Sequence, residues 1–171
     1  MIHRLYEEVD WLESFKWDSD YLYSLIRHFA VAEEKLQRWL FEFRESLELS
    51  SVQELLSQNA QPGAIDGTPV KWSSWRERRF CLSLPDDRGR ETLWNGVIDR
   101  VNIARSAEEE ILAGTIIDYK TDDFTQSKVE LYRPQIEIYH RVVTDITQLD
   151  YDQVHAGLLF LASDSFIAVH R

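Results

Sequence analysis

The apolar positions of this chain change period partway along it. Over the first ~58 residues they recur at helical spacing. Ile2, Leu5, Tyr6, Val9 and Leu12 predict one helix, and the stretch from about Tyr21 to Phe43 predicts another. Phe29, Leu36, Trp39, Leu40 and Phe43 form the apolar face of the second. Ser51 followed by Glu54 has the form of a capping box opening a short helix through Leu55 and Leu56. Gln61-Pro62-Gly63 and Gly67-Thr68-Pro69 then mark a loop.

From Val70 the pattern is that of strands. Phe80 to Leu84 is one, the turn Pro85-Asp86-Asp87-Arg88-Gly89 follows, and Leu93 to Ile103 is the second. The acidic insert Ser106 to Glu110 turns the chain into a third strand, Ile111 to Tyr119. A helix carrying Ile136, Ile138, Tyr139, Val142 and Val143 is predicted to open near Pro134, since proline suits a first turn. His155 to Ala162 is a buried-looking strand, with Phe166 to Val169 as a possible partner. Helices, three strands, a helix and a strand predict an α/β fold with a central mixed sheet flanked by helices. A length of 171 residues suits a single domain. Its helical segment would cover residues 1–60 and its α/β core residues 70–171.

Composition narrows the class. Aromatics at 12% and apolar residues at 44% argue against disorder. No apolar run approaches the roughly 18 residues of a membrane span, so no membrane partner is expected. The N-terminus is broken by acids at once and does not read as a signal peptide. A single cysteine, Cys81, leaves no intramolecular disulfide, no four-cysteine zinc site and no iron–sulfur cluster held by four cysteines. A cytoplasmic setting is expected. Thirty acids against nineteen Lys and Arg give a net charge of −11. A protein that held DNA alone by phosphate neutralisation would be basic. Either nucleic acid is no partner, or metal ions and another part of a larger assembly supply the positive charge.

Two acids stand out within this frame. Asp99 ends Gly96-Val97-Ile98-Asp99, and Asp118 lies in Ile116-Ile117-Asp118-Tyr119-Lys120. On a strand, residues i and i+2 share a face, so Asp118 and Lys120 point together. Acid-x-Lys alone is weak evidence. Thirty acids and five lysines in a chain this long give about one match by chance. Glu33-x-Lys35 is such a match, on a predicted helix where i and i+2 diverge. A second acid at comparable height on a neighbouring strand changes the reading. Two carboxylates and a lysine suit a hard divalent cation, Mg²⁺ or Mn²⁺, and an oriented water. The bland alternative is an ion-pair network of Asp99, Asp118, Lys120 and Arg100, or simple exposure at strand ends.

Gly96-Val97-Ile98-Asp99-Arg100-Val101, then Ile116-Ile117-Asp118-Tyr119-Lys120-Thr121, then Tyr132-Arg133-Pro134-Gln135-Ile136-Glu137-Ile138-Tyr139 together resemble the RecB/AddA-type nuclease domain of the PD-(D/E)XK superfamily. His3, followed by Arg-Leu-Tyr-Glu-Glu, is similar to the family's early helical His. Glu77 before Arg79-Phe80 is similar to the acid opening its first core strand. The resemblance implies a restriction-endonuclease-like core and metal-dependent exonuclease chemistry in double-strand-break repair and recombination. It implies His3, Asp99, Asp118 and the Tyr119 carbonyl as metal ligands. Lys120 would position or polarise the attacking water, and Gln135 and Tyr139 would match a Gln-x-x-x-Tyr motif that contacts DNA or buttresses the site. In the family a Gly and several residues precede the His, whereas His3 is almost the first residue here. No Gly-x-x-x-x-Gly-Lys-Ser/Thr stretch is present. The expected partners are therefore DNA and a helicase motor in the same polypeptide or complex. The alternative is a non-catalytic DNA-binding or scaffold module of a repair complex that retains the nuclease fold.

Other residues read more plainly. Glu77 by itself is a strand-edge acid. His28, His140, His155 and His170 are scattered and structural in character. Cys81 is expected to be a small buried hydrophobe. Most tryptophans are expected in the core. Trp72 and Trp75, near Arg76, Arg78 and Arg79, form a basic-aromatic cluster that could touch DNA or a further domain.

Overall fold

A computed structural model describes residues 2–29, 31–85 and 88–169, with the side chain of Leu84 left aside. Asp86 and Asp87 of the expected turn, and His170, lie outside the described residues. The protein is mixed α/β with a five-stranded mixed central sheet. By its contacts the chain divides into two compact units.

The first unit comprises Met1–Pro62, Tyr119–Phe124 and Leu159–Phe166. Its helices are α1 (Ile2–Tyr6), α2 (Ser19–Ile26), α3 (Glu33–Ser46) and α4 (Ser50–Leu56). The expected helix over 2–12 stops at Tyr6. Glu8 and Val9 donate to the carbonyls of Leu5 and Tyr6, tightening the last turn, and Leu12 donates instead to the Leu56 carbonyl. Val9 is nonetheless buried. The apolar spacing therefore reports burial correctly while the hydrogen bonding leaves the helix. The stretch 21–43 likewise divides into α2, a 3₁₀ turn at Arg27–Phe29 and α3. Asp18 caps α2 by accepting from the Tyr21 amide at 3.0 Å. Tyr6 centres the packing. Its ring meets Phe43 edge-on at 5.1 Å and stacks on Tyr119 at 4.5 Å, and its hydroxyl bonds Ser46 at 2.8 Å.

No local capping box opens α4. Asp164 takes that role from the far end of the sequence. Its carboxylate accepts from the Ser50 and Ser51 amides at 3.0 and 2.8 Å, and from the Ser51 hydroxyl at 2.6 Å. At the other end of α4, Glu13 accepts from the Ser57 hydroxyl at 2.5 Å and the Gln58 and Asn59 amides at 3.0 Å. Burial raises the Glu13 carboxyl, but these donors together outweigh it and bring it down to about 2.

The second unit comprises Gly63–Asp118, Thr125–Leu158 and Ile167–Arg171. The loop expected after α4 closes as a small ladder, β1 (Ala64–Ile65) with β2 (Thr68–Pro69), turned by Gly67 at φ 79. β3 (Lys71–Pro85) and β4 (Glu91–Arg105) pair along their length as one antiparallel hairpin, from Lys71↔Arg105 to Pro85↔Glu91. Both strands run further than the apolar pattern suggests, because cross-strand pairing continues through polar positions. β5 (Ile111–Lys120) pairs antiparallel with β4 over Arg100↔Ile117 to Arg105↔Ile111. α5 (Gln126–Thr147) then leads to β6 (Val154–Phe160) and β7 (Ser165–Ala168), in the strand order β3-β4-β5-β6-β7. A helical crossover is the connection that neighbouring parallel strands require.

α5 opens at the Thr125 cap, not at Pro134, which lies inside it. An interior proline costs about 3 kcal/mol. Burying Val129, Ile136, Val142 and Val143 returns about 1.5–3 kcal/mol for each large side chain, and Pro134 itself faces solvent, where the orphaned carbonyl can be hydrated. Cys81 is exposed, contrary to expectation, because its side chain alternates to the solvent face of β3. Trp11 is the one tryptophan among the described residues that is fully buried, so the core is built mainly from aliphatic residues, tyrosine and phenylalanine. His140 is structural as expected, buried with its Nε2 2.9 Å from the Val154 carbonyl. Among the described residues, no helix is long and apolar enough to cross a membrane.

Candidate functional site

Register brings the acids level. Arg76↔Arg100 and Arg78↔Ile98 are paired, and the step between them sets Glu77 across from Asp99. The β4–β5 ladder ends at Arg100↔Ile117. One step further along the same register lies Asp118, level with Asp99. Glu77, Asp99 and Asp118 thus form a row across three consecutive strands. Residues directly opposite one another share a face. A carboxylate oxygen of Glu77 lies within 4.8 Å of one of Asp99.

The backbone is unusual at this level. Glu77 has φ 47, the left-handed region, in the middle of a long strand. That conformation costs a residue other than glycine roughly 1–2 kcal/mol. Sequence reading treats Glu77 as a strand-edge acid, and glutamate gives no sign of a left-handed backbone. Its one legible signal is its position two residues before Arg79-Phe80.

Asp118 is 1% exposed and Asp99 half-buried. Gln135 and Tyr139 of α5 lie on one helical face and meet at Asp118. The Gln135 amide is 3.5 Å from Asp118 Oδ1, at the limit of a hydrogen bond, and donates to the Tyr139 hydroxyl at 2.6 Å. Burial pushes the Tyr139 hydroxyl up to about 12; the Gln135 bond opposes this, and the charges of Asp118, Asp99 and Glu77 add to it. Tyr139 is thus a neutral phenol facing three carboxylates. Phe80 holds its ring edge-on at 5.9 Å. Phe80 itself lies over Gly96, where an added Cβ would come within 2.8 Å of the ring. The glycine of the Gly96-to-Asp99 motif is there to admit that ring.

Arg100 points to the opposite face from Asp99. It is fully buried and donates to Asn102 Oδ1 at 2.7 Å. His3, Tyr119 and Lys120 belong to the first unit. His3 lies in α1, its ring edge-on to Tyr119 at 6.0 Å. Lys120, half-buried, follows Asp118 by two on β5 and so shares its face. The sequence-predicted residues Asp99, Asp118, Gln135 and Tyr139 come together in the second unit, with Glu77 as the addition. Oxygen donors drawn from several elements and held close to one another fit a hard divalent cation. No protein-family model matches the chain, and no curated protein is similar to it at a significant level.

Proposed function

We propose that this chain is a Mg²⁺- or Mn²⁺-dependent deoxyribonuclease domain with a PD-(D/E)XK-type core, acting with a helicase motor in the cytoplasm on broken DNA. The observation that carries the reading is the row of carboxylates on adjacent strands, backed by Gln135 and Tyr139. The motif resemblance, carried by the same residues, supports it.

Asp99 and Asp118 would hold the cation, with Glu77 as a further oxygen donor and His3 and the Tyr119 carbonyl as the ligands the resemblance adds. When bound, a divalent cation polarises the scissile phosphate and lowers the pKa of a water. The chain's own groups do the rest. Lys120 Nζ donates to the attacking water and balances charge growing on the phosphate. Gln135 fixes the Tyr139 hydroxyl. Tyr139, kept protonated, has a proton to donate towards Asp118 or a phosphate oxygen. The products are a 5′ phosphate and a 3′ hydroxyl.

Cleavage of labelled linear single- and double-stranded DNA, with Mg²⁺, Mn²⁺ or EDTA, tests this. Parent chain and Asp118→Ala are compared. The expected result is metal-dependent cutting that falls by at least about a hundredfold in the variant. Equal cutting by both would sink the assignment. Metal binding without cutting would favour the non-catalytic, DNA-binding role.

A further inference from the structure

The charge of this chain is unevenly distributed. The β3–β4 hairpin, residues 71–105, holds eight of the nineteen Lys and Arg but only five of the thirty acids. It is net positive within a chain of net charge −11. Two of its five acids are Glu77 and Asp99, which face each other in the candidate site. The arginines lie close by in sequence. Arg76 and Arg78 flank Glu77, Arg79 follows, and Arg88 and Arg90 lie at the turn end. All five are exposed. Arg78 sits over the Trp75 ring at 5.2 Å, which orders its guanidinium without neutralising it.

β3 is an edge strand, and the β4–β5 ladder covers only Arg100 to Arg105 of β4. Towards its turn, the hairpin's strands pair with each other. Charged side chains also protect a sheet edge from unwanted pairing. That role would be served by either sign, whereas the exposed charged residues of β3 are Lys71, Arg76, Arg78 and Arg79. Guanidinium groups bind phosphate oxygens in a fork.

We propose that Arg76, Arg78, Arg79, Arg88 and Arg90 grip the phosphodiester backbone of the nucleic-acid substrate around the exposed β3 edge beside the carboxylate row, Arg79 from the face that carries Asp99 and Arg76 and Arg78 from the other. The grip rests on the nuclease reading. It reconciles an acidic chain with a polyanionic substrate, because the positive field is concentrated where the substrate must lie.

DNA binding in EDTA, followed by fluorescence anisotropy across a salt series, tests the grip without cleavage. Arg78→Ala/Arg79→Ala and Arg88→Ala/Arg90→Ala are compared with parent and with Arg27→Ala/Lys35→Ala on the first unit. Each hairpin pair is expected to weaken binding and to reduce the salt slope by about two, one for each guanidinium withdrawn from a phosphate. The control pair leaves both unchanged. Arg78→Lys/Arg79→Lys restores the slope, which a purely structural role would not. Unchanged slopes in the hairpin variants, or an equal effect in the control, overturn the proposal. So does equal binding of poly-glutamate with the same arginine dependence, which would make the hairpin a surface for acidic proteins. If the parent cuts DNA and the hairpin variants bind it normally, the proposed grip fails and the nuclease reading stands. If the parent neither binds nor cuts, both fail.

Discussion

Among the described residues four acids have a left-handed backbone, and two of them differ in everything around it. Asp164 has φ 45 and Glu77 has φ 47. Asp164 faces amide and hydroxyl donors at the start of α4, and the cost of its backbone is offset by satisfied hydrogen bonds. Glu77 faces the carboxylate of Asp99. The comparison separates strain that serves folding from strain that arranges a site. An acid turned towards donors stabilises the fold, while the acid level with Asp99 belongs to the proposed metal site.

The largest difference should appear with metal. Glycine adopts a φ of 47 freely, so Glu77→Gly removes the carboxylate and keeps the backbone. Mn²⁺ affinity, by titration calorimetry, is expected to fall about tenfold or more, while Asp164→Ala binds as the parent. Equal affinity in Glu77→Gly would remove Glu77 from the ligand set and dissolve the contrast.

Stability should divide the other way. Asp164→Ala loses the α4 cap and about 0.5–2 kcal/mol in urea unfolding. Glu77→Gly relieves the left-handed strain but adds chain entropy, and nets within about 1 kcal/mol of the parent. The Asp164 contribution also carries a pH signature. Hydrogen bonds from the Ser51 hydroxyl and amide hold its carboxyl below the ordinary range, more than offsetting slight burial. Its stabilisation is therefore full above the unfolded value of about 4 and is lost as pH falls through the lower folded value. The advantage of the parent over Asp164→Asn should shrink below about pH 4. An advantage that persists unchanged well into acid, at about pH 2.5, would mean that charge plays no part in the cap.

The smallest effect is spectroscopic. Absorbance titration should find one tyrosine ionising at about 12, missing in Tyr139→Phe. Because the folded value is raised, Tyr139 contributes stability in full below the unfolded value of about 10, and loses it as pH rises through about 12. Glu77→Gly removes one of the charges that raise it and should lower it modestly.

The two regions are unequally legible in sequence. Asp99 and Asp118 announce themselves because an acid within a β-branched run is conspicuous, and antiparallel neighbours joined by short turns leave little choice of register. Gln135 and Tyr139 come from the motif resemblance, and helical spacing then sets them on one face. What escapes depends on distant partners or on backbone shape. Ser51 and Glu54 suggest a local cap, but the capping acid lies 113 residues away from Ser51. Val9 keeps helical spacing outside any helix. Pro134 reads as a boundary because local preference favours one, and the burial of α5 overrides it. The left-handed backbone of Glu77 leaves no trace in residue type.

The Asp164 cap also bears on the order in which the chain is made. A helix as short as α4 is marginal alone, and its N-terminus is closed by a residue synthesised more than a hundred positions later. At about 5–20 residues per second, roughly 6–23 s pass between the emergence of Ser51 and that of Asp164. Most of the helical unit leaves the ribosome before the sheet does, yet it is among the last parts to be completed. A stop codon introduced just ahead of Asp164 would therefore be felt first at a helix made long before it.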